Sequence, residues 1–355
     1  MAKPLITVLV TAHRRRQYIR KALDSVRAQD IDRSEYEVIV VSNFEGSYEG
    51  LSNLRWITVD EEGLSPKIAV GFEEARGEVV SMLEDDDRWL PGKLRLVRDL
   101  MRRERADFLH NNMVMTYDDA ILPPNEQTYL KVCSFSAKIG PGFNTVSLRP
   151  FLRRIWPCIW NNSSISIRRD FVLSDQELVR FLKVSNVTHG ADWLLTLYSI
   201  DYGTVLHVHN PLTLYNLHNF FEAPYHLPER MLARRVRASR EYVKVLRFLS
   251  NKCKTSRCKL IADMVELAAY PYFLLTNSEG LFDPRPKSEF MRYLGERLPA
   301  YLLLLLLYSP RGAVIKTLWS LAPLTLMLRL LPSEFQRRHA VAANVAKRLR
   351  DSIKA

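Results

Sequence analysis

Short apolar runs alternate with amphipathic stretches over the first hundred residues. The runs are rich in β-branched residues and predict strands, at 5–10, 36–41, 54–59 and 79–83. The amphipathic stretches at 17–29 and 68–75 predict helices. Strands that alternate with helices indicate an α/β fold built on a doubly wound, parallel sheet.

The fourth predicted strand ends in Glu84, Asp85, Asp86 and Asp87. Four adjacent carboxylates repel one another unless a cation lies among them, and hard oxygen ligands suit Mg²⁺ or Mn²⁺. The alternative is a solvated acidic turn before a helix at 91–105. Because these acids follow a buried strand, at the edge where open α/β sheets bind ligands, we favour a metal–phosphate site.

Polar segments also follow the first two predicted strands. Residues 11–14 and 42–43 would line one crevice with residues 84–87, because the carboxyl ends of parallel strands meet at one edge. No Gly-x-Gly-x-x-Gly follows the first strand, which argues against an ordinary dinucleotide site. The crevice is therefore the candidate site for a ligand that carries phosphate.

The part from 106 to 225 is less regular. Its patterns predict strands at 107–115, 161–168 and 203–208, and a helix that runs from 192 to 200. Residues 122–142 are rich in Pro, Gly and polar side chains and predict a loop over the site.

The charge is concentrated in the C-terminal third. Residues 1–225 hold 27 Lys/Arg against 29 Asp/Glu, whereas residues 226–355 hold 24 against 10. Apolar stretches in this third predict helices at 231–249, 260–275, 298–307 and 313–331. We therefore expect two domains: a catalytic domain at 1–225 and a basic, all-α domain at 226–355.

The basic domain is predicted to contact an anionic membrane surface. Lys316, Pro323 and Arg329 make a membrane span at 313–331 costly, so a helix lying in the membrane plane fits better. A buried helix pair is the alternative. A nucleic-acid-binding protein is a second alternative, but we expect no nucleic acid because the domain lacks interleaved aromatic residues.

Four cysteines, Cys133, Cys158, Cys253 and Cys258, include no Cys-x-x-Cys pair. We expect mostly buried thiols of an intracellular protein, with a Cys253–Cys258 bridge left open. The N-terminus shows no secretory signal. The expected location is the cytoplasm, peripheral on the inner face of the cell membrane.

Several motifs occur in an order that is typical of one enzyme family. They are Val10-Thr11-Ala12-His13-Arg14, the amphipathic helix at 18–29, the acidic segment 83–94 with Trp89 and Lys93, Gly190-Ala191-Asp192-Trp193, and Tyr215-x-x-His218. The ordered set, over residues 4–222, resembles the inverting GT-A glycosyltransferases of family 2. Segment 83–94 is the most specific match.

The resemblance implies a GT-A fold with a mixed, Rossmann-like sheet and a metal-dependent enzyme. It would move a sugar from a nucleotide-diphosphate sugar to an acceptor hydroxyl or a lipid-linked acceptor. Asp86 and Asp87 would bind Mg²⁺ or Mn²⁺, and Asp192 would be the general base, unless it only caps its helix. The donor would contact Thr11, His13, Arg14, Asn43, Lys67, Asp85 and His218. A structural role for His218 is the alternative.

Three positions depart from the family pattern. Ser42-Asn43 replaces Asp-Asp, Lys67 replaces an Arg, and Asn216 replaces the Arg before His218. The first change leaves the nucleobase open. The second keeps the charge but loses the bidentate fork, and the third removes one possible phosphate contact. A nucleotidyltransferase is a further alternative, although such enzymes favour a Gly-rich basic loop after the first strand, and the run at 14–16 is basic without glycine.

Overall fold

The computed structural model describes residues 4–117, 119–124, 127, 130, 133–145, 151–156, 158–217 and 228–263. The chain divides into two compact units, Met1–Phe221 and Glu222–Ala355. The functional assignment of domains to 1–225 and 226–355 stays a prediction.

The first unit contains ten strands among its described residues. They are β1 (Ile6–Ala12), β2 (Tyr36–Ser42), β3 (Leu54–Thr58), β4 (Val79–Glu84), β5 (Arg88–Trp89), β6 (Phe108–Tyr117), β7 (Ala120–Ile121), β8 (Ala137–Ile139), β9 (Ile165–Arg168) and β10 (Val205–Asn216). The α-helices are α1 (Arg16–Arg27), α2 (Leu64–Glu74), α3 (Lys93–Glu104), α4 (Arg169–Leu173), α5 (Gln176–Ser185) and α6 (Ala191–Tyr202). Short helical turns occupy Arg33–Glu35, Pro141–Phe143, Phe151–Ile155 and Asn162–Ser164.

These strands form one mixed sheet in the order β3-β2-β1-β4-β9-β6-β10-β5. Strands β1 to β4 pair in parallel, and β9 is antiparallel to both β4 and β6. Every residue of β1 is buried, as expected for a central strand that is covered on both faces. The predicted α/β, GT-A fold is confirmed, and its sheet is mixed.

Helix α2 begins at Leu64, four residues before its predicted start at 68. Pro66 lies in the first turn, where the missing amide hydrogen breaks no hydrogen bond of the helix, so it does not delay the start. Gly71 of this helix faces β1, and a Cβ atom there would lie 2.3 Å from the Leu9 side chain. The helix therefore packs closely on the strand that leads into the candidate site.

The expectation of mostly buried thiols was wrong, whereas the Cys253–Cys258 bridge that the sequence left open is present. Cys133 pairs with Cys158 and Cys253 pairs with Cys258, with Cα–Cα distances of 5.5 and 5.7 Å, as disulfides require. The first bridge joins residues 25 positions apart, so no short sequence motif predicts it. It links Cys133, which lies in the predicted loop at 122–142, to Cys158, which precedes β9. The predicted loop also contributes β8.

In the second unit, α7 (Pro228–Lys252) covers the helix predicted at 231–249. The helix predicted at 260–275 lies partly, and those at 298–307 and 313–331 lie wholly, outside the described residues. Among the residues that are described, no helix combines the length and the apolar character that crossing a bilayer requires.

Candidate active site

The carboxyl ends of β1, β2 and β4 bring three polar segments to one edge of the sheet. Thr11 is opposite Glu84 in the β1–β4 pair, and Ala12 is opposite Ser42 in the β1–β2 pair. The main-chain amide of Asp85 donates to the Thr11 carbonyl oxygen at 3.1 Å, which extends this pairing past the strand end. The convergence predicted from the strand order therefore exists in the fold.

Glu84, Asp86 and Asp87 form a carboxylate cluster, with one oxygen of each lying within 4.8 Å of the others. Desolvation, and then the Asp86 charge, raise the pKa of Glu84 to about 7 and that of Asp87 well above its usual value. Beside them, the buried amide oxygen of Asn162 has no hydrogen-bond partner among the described residues. Carboxylate and amide oxygens are the ligands that Mg²⁺ and Mn²⁺ take, so this set fits a divalent ion.

Asp85 is not part of that cluster and contacts the loop after β1. Its Oδ2 accepts a hydrogen bond of 3.0 Å from the main-chain amide of His13. Its Oδ1 lies 2.5 Å from Nη2 of Arg15, and Nη1 of the same guanidinium contacts Asp86. Burial raises the pKa of Asp85 to about 7, and the charge of Arg15 opposes that rise.

Arg15 was missed as a site residue. The run of three arginines at 14–16 was visible in the sequence, but spacing alone does not show which of them faces the acids. In the fold, Arg14 pairs with Glu62 and Arg16 lies over the Phe44 ring, so Arg15 is the member of the run that reaches the carboxylates.

Asp192 lies in the first turn of α6, after Gly190. Gly190 occupies the N-cap position with φ of 88°, so Asp192 is not the N-cap residue. The Asp192 carboxylate accepts hydrogen bonds from the main-chain amides of Asn161, at 3.0 Å, and Trp193, at 2.9 Å. Burial raises its pKa, and these two hydrogen bonds oppose the rise.

Asn161 joins Asp192 to the carboxylate cluster. Its main-chain amide holds Asp192, while its side-chain amide lies 3.4 Å from Asp87 Oδ2. Its φ of 75° is in the region that Asn tolerates better than most residues. Asp87 is also fixed by the main-chain amide of Asn216 at 2.9 Å. The predicted base and a predicted metal ligand thus contact the same residue.

The other predicted donor contacts are distributed around the loop after β1. Asn43 accepts a hydrogen bond of 3.0 Å from the main-chain amide of Arg14, and His13 Nε2 lies 3.2 Å from Glu62. Burial, and then the Lys67 charge, lower the pKa of His13. His13, Arg14 and Asn43 thus lie together at the crevice edge.

Lys67 is buried, and its ammonium donates hydrogen bonds to the main chain of its own loop. Nζ donates to the carbonyl oxygens of Glu61, Glu62 and Gly63 at 2.5, 3.2 and 3.0 Å. In this conformation the side chain fixes the loop before α2. A donor contact from Lys67 stays a prediction, and His218 lies outside the described residues.

Comparison with known proteins decides the kind of enzyme. Residues 7–156 match the model of the Glycosyl transferase family 2. This chain is a glycosyltransferase. No curated protein sequence matches the enzyme.

Solved structures share the fold of this glycosyltransferase. The structure of S. aureus TarS 1–349 in complex with UDP-GlcNAc is 15% identical with a TM-score of 0.53, and the match covers 89% of each chain. The same protein in complex with UDP is 13% identical with a TM-score of 0.51, over 89% of this chain and 88% of that one.

The turn at Asn162–Ser164 of the glycosyltransferase is held in place by hydrogen bonds to the Ser163 carbonyl oxygen. The Ser163 carbonyl oxygen accepts from Trp89 Nε1 at 2.7 Å, Thr213 Oγ1 at 3.1 Å and Lys93 Nζ at 3.3 Å. Lys93 is fully buried and also bonds Asn111, and desolvation lowers its pKa to about 7. Sequence reasoning matched Trp89 and Lys93 to a motif without assigning them this role.

Two aromatic pairs include chain neighbours of Asp192 and Asn161 in the enzyme. Trp156 and Trp193 have ring centroids 5.6 Å apart, and Trp160 and Tyr215 have centroids 5.3 Å apart. All four rings are partly exposed. Trp193 and Trp160 are the chain neighbours of Asp192 and Asn161.

Proposed function

We propose that this glycosyltransferase moves a sugar from a uridine-diphosphate sugar to an acceptor hydroxyl, with inversion at the sugar and with a divalent metal. The observation that supports the proposal is the link through Asn161, whose main-chain amide donates to Asp192 and whose side-chain amide lies 3.4 Å from Asp87 Oδ2. An inverting transferase needs both a base for the acceptor and a group of anions that holds a metal beside the diphosphate.

The choice of a uridine donor has a separate basis. A protein with the same fold, TarS, was solved with UDP-GlcNAc and with UDP. In this chain, Asn43 stands at the end of β2 beside the crevice, where its amide can meet a base or ribose edge. Thr11, His13, Arg14 and Asp85 would form the rest of the donor surface.

Glu84, Asp86 and Asp87 would hold Mg²⁺ or Mn²⁺, with Asn162 beside them. A bound divalent ion supplies positive charge that neutralises the departing diphosphate. The loop after β1 orients the donor. Asp192 takes the proton of the acceptor hydroxyl. The raised pKa of Asp192 makes it a stronger base than an exposed carboxylate.

The acceptor is proposed to be a glycan hydroxyl, with a lipid-linked acceptor as the second candidate. Partly exposed rings of Trp156, Trp160, Trp193 and Tyr215 favour a sugar, because the apolar faces of pyranose rings pack on aromatic rings. The lipid-linked candidate follows from the basic, apolar segment at 226–355, which we propose attaches the enzyme peripherally to the inner face of the cell membrane. Binding to vesicles with and without anionic lipid tests this attachment.

Replacement of Asp192 by Asn tests the proposal. We expect turnover to fall about 10²- to 10⁴-fold, because the amide cannot take the acceptor proton, while binding of UDP with Mn²⁺ is unchanged. The exposed Asp170 offers a matched control, and Asp170→Asn should turn over normally. Transfer by Asp192→Asn at the wild-type rate would refute the base. Release of pyrophosphate instead of UDP would refute the transferase assignment to this donor and favour a nucleotidyltransferase.

A further inference from the structure

Arg15 contacts the carboxylate cluster and a neighbouring acid at once. One guanidinium nitrogen, Nη2, lies 2.5 Å from Asp85 Oδ1, and the other, Nη1, contacts Asp86 Oδ2. Asp86 is also one of the three carboxylates in the cluster with Glu84 and Asp87. The same carboxylate therefore serves a bound guanidinium and the candidate ion site.

A guanidinium and a divalent cation compete for that carboxylate. Both take its lone pairs, and the two cations repel each other at such short range. The two terminal nitrogens of Arg15 allow the side chain to keep one contact and give up the other: Nη2 can stay on Asp85 while Nη1 leaves Asp86. The side chain is 35% exposed, so it has room to turn.

From these contacts we propose that Arg15 is the internal counter-ion of the cluster: a divalent ion displaces it from Asp86, and the freed guanidinium then binds the donor diphosphate. The second half rests on the proposed function. Guanidinium groups bind phosphate oxygens through two parallel hydrogen bonds, and Arg15 stays anchored beside the ion by Asp85.

This role predicts opposite changes in the affinities for metal and for UDP, which damage to the fold would not produce. Loss of the Arg15 charge removes a competitor of the metal, so the metal alone should bind more tightly. The same loss removes a phosphate contact, so UDP in the presence of saturating metal should bind more weakly. A variant with a loosened site would lose affinity for both ligands.

The test uses the full chain and isothermal titration calorimetry, first with Mn²⁺ alone and then with UDP at saturating Mn²⁺. In Arg15→Gln we expect the Kd of Mn²⁺ to fall about three- to tenfold and the Kd of UDP to rise by a similar factor. Arg15→Lys should keep both values closer to wild type, because it retains the charge and loses only the fork.

Arg16→Gln is the matched control. It removes the same charge one residue along the chain, from an exposed side chain whose guanidinium lies 4.8 Å from the Phe44 ring centroid. It should change neither Kd. A similar gain in Mn²⁺ affinity in Arg16→Gln would attribute the effect to net charge and overturn the proposal.

Two further outcomes are decisive. An unchanged or weaker Mn²⁺ affinity in Arg15→Gln overturns the counter-ion role, whatever happens with UDP. If the wild-type chain binds no UDP in the presence of Mn²⁺, the proposed donor is wrong, and the counter-ion role is then judged on the metal titration alone.

Discussion

Replacing the buried Lys93 by Met should flatten the dependence of stability on pH. Lys93 is fully buried, and desolvation lowers its pKa to about 7, whereas a lysine in the unfolded chain titrates at about 10.4. Between these values the unfolded state binds one proton more than the native state. The contribution of Lys93 to stability therefore rises with pH, by up to about 1.4 kcal/mol per pH unit.

From pH 7 to pH 9 this single group should add about 2 kcal/mol to the free energy of unfolding, since the native side chain is half protonated at the lower pH. Its neighbour His110 does not interfere: burial, and then the His207 charge, hold the pKa of His110 well below 6.5, so it is neutral throughout. Lys93→Met also leaves the Asn111 side-chain oxygen without this donor, at a cost of about 1–3 kcal/mol that does not vary with pH.

The measurement is urea unfolding of wild type and Lys93→Met at pH 7, 8 and 9, followed by tryptophan fluorescence. The difference in unfolding free energy, wild type minus variant, should increase by about 2 kcal/mol across this range. Lys183→Met, which removes a half-exposed lysine paired with Glu73 at 2.7 Å, is the control and should follow wild type. A constant difference for Lys93→Met would show that the native ammonium is not desolvated and refute the reasoning.

Three more predictions follow from the site and its supports. Glu84 has its pKa raised to about 7 and must be ionised to bind a cation, so the Kd of Mn²⁺ should weaken about tenfold per pH unit below pH 7 in calorimetric titrations; an equal Kd at pH 5.5 and 8 would contradict this. Gly77→Ala would place a Cβ 2.5 Å from the main-chain nitrogen of Thr7, and thermal denaturation should show a loss of about 2–4 kcal/mol; wild-type stability would refute the close approach. Trp156→Ala should raise the KM for a soluble glycan acceptor about tenfold and leave UDP affinity unchanged, whereas an unchanged KM would exclude this ring from the acceptor site.

The parallel part of the sheet was predictable because its strands are continuous apolar runs. Runs at 5–10, 36–41 and 79–83 correspond to β1, β2 and β4, and their polar ends gave the position of the crevice. The start of β9 was less accessible to this reasoning. Residues 161–164 continue the alternation of the strand, but Asn161 has a positive φ and the three residues after it form a tight turn.

Pairings between distant residues were beyond sequence reasoning. The Cys133–Cys158 bridge and the contact of Arg15 with Asp86 depend on how loops return to the sheet, which local patterns do not encode. The contacts of the Lys67 side chain were likewise not predictable from the sequence. Its position matched a family cation, but its ammonium faces three carbonyl oxygens of its own loop.

The Ser163 carbonyl receives donors from the neighbouring elements β5 and α3 and from β10, which lies more than a hundred residues further along the chain. Asn161 and the residues that it orients are thereby anchored to the scaffold and not to the loops that would meet an acceptor. Side chains that select the acceptor can consequently diverge during evolution while the spacing between Asp192 and Asp87 is preserved. If the proposed function holds, such an arrangement would let the same scaffold serve different acceptors with one set of catalytic residues.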